Sequence, residues 1–256
     1  AVREIDNRTV AVKTIHPQIR PTPHAVNRFV REAEILRKLQ HPGIVAGLDS
    51  GETDGTLWLA MEFIDGQDGY KILRSEGPLD IRRAVGWATQ LLEALAHAHD
   101  NDFIHRDVKP GNMLISRGET GERVHLTDFG LARAYQVSMM SVPTSGLTQA
   151  GNPLGTVRFM PREQMLDARN VKPTADQYAA AATLYQLLTG KYLFEGVTTE
   201  VQWYMQILEG TPTPIRQHRP ELPESLASAI HRALARKPEE RFPDVRAFSK
   251  AISEAI

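Results

Sequence analysis

Residues 103–114 read FIHRDVKPGNML and residues 124–132 read VHLTDFGLA. Two short apolar segments, Phe103–Ile104 and Met113–Ile115, bracket a loop dense in charge, and a third, Val124–Leu126, leads into Asp128-Phe129-Gly130. The pattern predicts short strands that carry Asp107, Lys109, Asn112 and Asp128 on turns at their ends, where a rigid scaffold holds polar groups towards a cleft. Carboxylates and an amide oxygen suit a hard cation, and a lysine suits phosphate, so the cluster fits a polyanion together with its metal. The bland alternative is three buried edge strands joined by solvated turns.

The 256 residues are enough for one large domain or two modest lobes, each with its own core. Hydrophobic residues make up 41% and charged residues 24%, ordinary for a globular protein, and the formal net charge of −1 points to neither nucleic acid nor an anionic membrane. There is no cysteine, which removes disulfide and thiolate chemistry and is compatible with a reducing compartment. No apolar run approaches the roughly 18 residues of a membrane helix, and no signal peptide opens the chain, so the expected location is the cytoplasm. An anchor outside these residues is compatible with that expectation.

Working outward, Val10, Val12 and Ile15 predict a strand that follows an Asp6-Asn7 turn. Residues 25–39 predict a helix, with Val26, Phe29, Ala33 and Leu36 in one apolar stripe. At about 100° per residue Glu32 lies at the edge of that stripe and Glu34 points away, so Glu32 is the carboxylate that wants a cationic partner. A hairpin turns at Asp54-Gly55, Leu57, Leu59 and Met61 alternate along its second strand, and Asp65-Gly66 is a breaker pair. Asp80 is the expected N-cap of a helix over 80–100, in which His97 and His99 face different directions and make a poor metal pair. Residues 176–189 are apolar nearly all round and predict a buried central helix ended by Gly190, with Asp176 an expensive buried charge at its start. Further helices are expected over 199–209, 223–235 and 243–255, with Trp203 in the core.

His105-Arg106-Asp107 with Asn112 and then Asp128-Phe129-Gly130 resembles the catalytic loop and magnesium motif of protein kinases. The resemblance covers essentially the whole chain. It implies an α+β, two-lobed protein-kinase fold: one kinase domain over 1–256, with a small β-rich N-lobe over 1–64 and a larger helical C-lobe over 65–256. The family's glycine-rich loop would precede the first residue in hand. The implied reaction is transfer of the γ-phosphoryl group of ATP, with Mg2+, to serine or threonine hydroxyls of protein substrates. Self-association for autophosphorylation is part of the same expectation.

The family's roles pass to matching positions. Asp107 becomes the catalytic carboxylate that accepts the hydroxyl proton, Lys109 neutralises charge on the phosphoryl group, and Asn112 and Asp128 hold the metal. Lys13, in Ala-Val-Lys, becomes the phosphate lysine, paired with Glu32. Ala11 and Leu114 sandwich adenine, main-chain groups of Glu62 and Ile64 hydrogen-bond it, and Met61 limits the pocket's depth. His105 packs against Phe129, Asp176 accepts hydrogen bonds from the catalytic-loop backbone, and Glu163 pairs with Arg241. Residues 131–163 read plainly as a flexible loop rich in small polar residues, but resemble an activation loop whose phosphate would pair with Arg106; five hydroxyls, Ser138, Ser141, Thr144, Ser145 and Thr148, lie between Leu131 and Gly151. Gly155-Thr156 matches the loop that receives the acceptor residue.

Two departures stand out: Gly47 replaces a bulky aliphatic core residue, and Pro161-Arg162-Glu163 replaces Ala-Pro-Glu. The lysine in HRDVKPGN resembles serine/threonine kinases, and the short C-lobe resembles the bacterial eukaryotic-type members. The rival readings are a pseudokinase, binding nucleotide or scaffolding without catalysis, and a small-molecule phosphotransferase on a related fold.

Overall fold

The computed structural model describes residues 1–3, 6–14, 29, 33, 34, 36–119, 121–129, 157–168 and 170–256. Glu32, Gly130, the hydroxyl-rich 131–151 and Gly155-Thr156 lie outside these residues.

Two antiparallel sheets build the front of the molecule. The first has the order β1 (Val2–Arg3), β2 (Arg8–Thr14), β4 (Thr56–Glu62), β3 (Gly47–Thr53). Asn7 turns the β1–β2 connection with φ 57°, its N–H bonding Arg3 O at 2.8 Å. The β3–β4 hairpin closes with Asp54 at φ 50° and Gly55 at φ 72°, both left-handed as the twist of a two-residue turn requires. Along β4, Leu57 and Leu59 are buried as their alternation predicts.

Phe29, Ala33, Leu36 and Leu39 are buried behind this sheet, and residues 33, 34 and 36–38 are helical there; Glu34 is exposed. Gly47 explains how close that helix comes. A Cβ on Gly47 would stand 3.2 Å from Leu36 Cβ and 3.3 Å from Arg37 N, so the helix occupies the volume that a bulky residue would fill.

The second sheet runs β5 (Gly66–Asp68), β6 (Met113–Gly118), β7 (Gly121–Leu126). Asp65-Gly66 is therefore no simple breaker: Gly66 begins a strand opposite Ser116. Only glycine fits, because a Cβ would fall 2.3 Å from the carbonyl oxygen of Ile115. Asp68 then caps α1 (Gly69–Glu76), an element the breaker reading leaves out, by accepting from Lys71 N at 2.9 Å.

Apart from the short helix Arg162–Leu166, which the residue pattern does not announce, the remaining helices follow the expected pattern. Asp80 accepts from Arg83 N at 2.9 Å and starts α2 (Ile81–Asp100). A short α3 (Arg162–Leu166) follows Pro161. α4 (Thr174–Thr189) is buried on nearly every side and ends at Gly190 with φ 68°. Thr199 and Gln202 form a capping box on α5 (Glu200–Glu209); α6 (Glu224–Ala233) and α7 (Val245–Ser253) complete the lobe. One hydrophobic cluster runs from Phe29 and Leu36 through α2 and α4 to Phe248, with Trp203 inside it. No helix of the described residues is long and apolar enough to cross a membrane.

Substituting Gly66→Ala forces backbone of β5 away from β6. We expect a loss of about 1–3 kcal/mol in unfolding free energy, measured by urea denaturation.

Candidate active site

The loop 105–112 is held from below by one buried carboxylate. Asp176, at the first turn of α4, is fully buried and accepts from the backbone N–H of Arg106 at 2.7 Å and of His105 at 2.8 Å. Nε2 of His99, at the end of α2, lies 2.8 Å from the same carboxylate. Burial alone would raise the Asp176 pKa; the His99 hydrogen bond and charge, with the Arg106 N–H, outweigh it and hold the group below its ordinary value. Arg106 sits at φ 67°, and Gln164 of α3 donates from Nε2 to its carbonyl at 2.7 Å. A non-glycine residue keeps such a backbone only where its surroundings over-determine it, and here both of its peptide groups are engaged.

His105 is buried and meets the Phe129 ring at 4.5 Å. Its Nδ1 accepts from Asp107 N at 3.2 Å and its Nε2 faces Thr127 O at 2.9 Å, which sets the tautomer with Nε2 protonated. Burial pushes its pKa down, so it is neutral at pH 7 and structural, as expected.

Above this base the polar side chains converge. Asp107 Oδ2 accepts from Lys109 Nζ at 2.8 Å and from Asn112 Nδ2 at 3.0 Å, and Asn112 Nδ2 also donates to Asp107 O at 2.7 Å. Asn112 O in turn accepts from Thr127 N at 3.0 Å, which fixes the distance between the loop and Asp128. Asp128 has φ 61°, and its Oδ1 forms an ion pair with Lys13 Nζ at 2.7 Å. That pairing differs from the expected Lys13–Glu32 pair, which falls outside the described residues. It joins the first sheet directly to the end of β7.

Asn112 is committed through its amide nitrogen, so its Oδ1 and the second oxygen of Asp128 are the hard donors left for a cation. Two protein oxygens suit an ion that takes its other ligands from water and phosphate. Among the described residues no cluster of three or more His, Cys, Asp or Glu side chains could hold a metal, and His97 instead stacks on His41 at 5.1 Å.

At the junction of the two sheets, Ala11 on β2 pairs with Met61, and Leu114 on β6 pairs with Asp68; both are partly exposed. Glu62 N is taken by Ala46 O at 2.9 Å, while the Ile64 amide makes no backbone hydrogen bond among the described residues. Glu163 and Arg241 pair as expected, with two contacts of 2.6 and 3.1 Å, and the guanidinium is fully buried. The Pro161-Arg162 departure leaves this pair intact: Pro161 opens α3, and Glu163 lies in its first turn.

A family profile described as "Protein kinase domain" matches residues 1–251. The chain belongs to the protein kinase family. Among curated relatives it is 35% identical over 252 residues to the serine/threonine-protein kinase PknF of Mycobacterium tuberculosis, covering 97% of this chain and 51% of that one. It is 32% identical over 250 residues to the serine/threonine-protein kinase pkn2 of Myxococcus xanthus, covering 97% and 29%. The domain thus spans about half or less of the length of these two relatives. Among solved structures, the PknI kinase domain of Mycobacterium tuberculosis matches with a TM-score of 0.75 at 27% identity, over 96% of this chain and 85% of that one. Rad53 in complex with AMP-PNP matches with a TM-score of 0.76 at 25% identity, over 98% and 59%. Members of the family use ATP with a divalent cation, and the donors found here fit both.

Two supports of the site escape motif reading. His99 stands out only as half of an unlikely metal pair, and Gln164 carries no signal at all. Both act by meeting a backbone or carboxylate group distant in sequence, which local spacing does not encode.

The Asp176 network sets a pH dependence. His105 and Asp176 both have folded-state pKa values below their ordinary 6.5 and 3.8. Each therefore contributes stability that is complete above its ordinary value and is lost as pH falls towards the folded one. We expect unfolding free energy to drop as pH falls below 6.5 and again below 3.8. Asp176→Asn presents an amide N–H to a backbone N–H; it should lose about 2–4 kcal/mol at neutral pH and flatten the second drop, read by urea unfolding across the pH range.

Proposed function

We propose that the domain transfers the γ-phosphoryl group of ATP to serine or threonine hydroxyls of protein substrates. The observation that carries the reading is the convergence of Lys109 Nζ and Asn112 Nδ2 on Asp107 Oδ2, opposite the Lys13–Asp128 ion pair. An acceptor hydroxyl brought to Asp107 finds a carboxylate oriented by two donors and able to take its proton. Lys109 adds a positive charge beside that carboxylate, suited to charge on the phosphoryl group in flight.

Asn112 and Asp128 are the residues that would hold Mg2+, which supplies charge neutralisation between phosphate oxygens. Lys13, bound to Asp128, stands ready to meet phosphate once a cation takes that carboxylate, with Glu32 as its second partner. Adenine is assigned to the junction between Ala11 and Leu114, with main-chain groups of Glu62 and Ile64 at its edge. The boundary between the two lobes falls at 64/65 in this reading. Relatives named serine/threonine-protein kinases support the acceptor class. Use of ATP and the lack of cysteine favour the cytoplasm, and autophosphorylation through self-association belongs to the same proposal.

In full-length protein with Mg–ATP, labelled phosphate should appear on serine or threonine of the protein itself or of a generic basic protein. Asp107→Asn should lower the rate by about 10^2- to 10^4-fold while nucleotide still binds. Tight nucleotide binding without any transfer by the unmodified protein would overturn the enzyme and leave a binding module.

A further inference from the structure

Arg162 stands where the family's Ala-Pro-Glu has its proline, and the Glu163–Arg241 pair does not use it. It is exposed in the first turn of α3 and makes no ion pair among the described residues. It borders a cavity of about 300 Å3 framed by α3, α4, α5 and α6. Phe194, Ile207 and Leu234, all buried, make its walls apolar. Three arginines line it, Arg162, Arg236 and Arg241, and among the described residues no carboxylate does. Glu163 neutralises Arg241 at 2.6 Å. Arg236 commits Nη2 to the carbonyls of Glu209 and Gly210 and, like Arg162, has no ion pair among the described residues. Two unpaired guanidinium groups thus meet one apolar hollow.

Two further donors lie on the same lining. Tyr178 is 6% exposed, and its hydroxyl makes no hydrogen bond among the described residues. It is not sealed in the core: the enclosed side-chain atoms that lack a hydrogen bond there are Arg158 Nε, Thr183 Oγ1, Gln186 Oε1 and His218 Nε2. For a residue so nearly buried, the opening is the cavity it lines. His231 Nε2 accepts from Ile215 N at 2.9 Å, which leaves the ring proton on Nδ1. Burial raises the Tyr178 phenol above its ordinary value and lowers the His231 imidazole, so at pH 7 each is a neutral donor.

We infer that this cavity is a second ligand site, which takes a small amphipathic anion: one carboxylate or phosphate monoester on an aromatic or short acyl body. Arg162 and Arg236 meet the anionic head with charge-assisted hydrogen bonds, Tyr178 supplies a neutral one, and the body lies against Phe194, Ile207 and Leu234. A volume at the lower end for ligand sites limits that body to about one ring. The site shares no lining residue with the cleft at Asp107, Lys109 and Asp128, and the inference goes beyond the phosphotransfer reading without resting on it.

The test uses hydrocinnamate, its uncharged amide and phenyl phosphate as probes, titrated calorimetrically into the protein with Mg–AMP-PNP in excess. The nucleotide keeps the probes out of the phosphate sites of the cleft. We expect both anions to bind with a Kd of about 1 mM or tighter, and the amide about tenfold more weakly. Arg162→Pro restores the family's residue at a helix position that suits proline, so the variant should fold. It and Arg236→Gln should each weaken the anions about tenfold and leave the amide unchanged. Tighter binding of phenyl phosphate assigns the head as phosphate and tighter binding of hydrocinnamate as carboxylate, and either order supports the site. No binding of either anion, or equal affinity for hydrocinnamate and its amide, overturns the inference without any variant having to fold. Unchanged anion affinity in a folded Arg162→Pro, Arg236→Gln double variant overturns it as well.

Discussion

A carboxylate without solvent contact at the first turn of the central helix orders the loop 105–112. Asp176 has no water to share its charge, so its oxygens take their hydrogen bonds from the N–H groups of His105 and Arg106 and from the His99 ring. With Arg106 at φ 67° both amides point at it, and this turn starts Asp107 on its course. The burial of α4 is what makes the constraint firm. A solvated aspartate would tolerate several arrangements of the loop, whereas a desolvated one leaves each donor that moves away uncompensated.

From that base the site is built in layers of hydrogen bonds. His105 transmits the position of the loop to Asp107 N and to Thr127 O, and Thr127 N returns to Asn112 O. The loop and the end of β7 are thereby fixed to one another, which sets Asp107, Asn112 and Asp128 as a unit. Lys13 then links the unit to the first sheet through a single ion pair.

Much of this was legible in the residue pattern. The buried Phe29, Ala33 and Leu36, the turn at Asp54-Gly55, the caps at Asp80 and Gly190, and the all-round apolar 176–189 behave as local rules dictate, because caps and periodicity act within a few residues. Gly66 did not. As part of Asp-Gly it reads as a breaker, yet a strand of the second sheet passes too close for any side chain, and it becomes the first residue of β5. Gly47 likewise reads as lost packing until the helix is seen against it at 3.2 Å. In both cases the deciding atom belongs to a segment distant in sequence.

The sequence by itself determined the fold family and the identity of the polar groups, since the HRD, Asn112 and DFG positions carry their chemistry in residue type and spacing. It also implied the long-range pairs Glu163–Arg241 and Asp176 with the loop backbone, through family resemblance. Only the tertiary structure decided how those groups are committed: that Lys13 rests on Asp128, that His99 serves a buried aspartate, and that the Arg158 guanidinium lies over the Tyr192 ring. The physical reason is common to all three. A charge chooses its partner by distance and desolvation, and both are set by chain segments that meet only in the folded molecule.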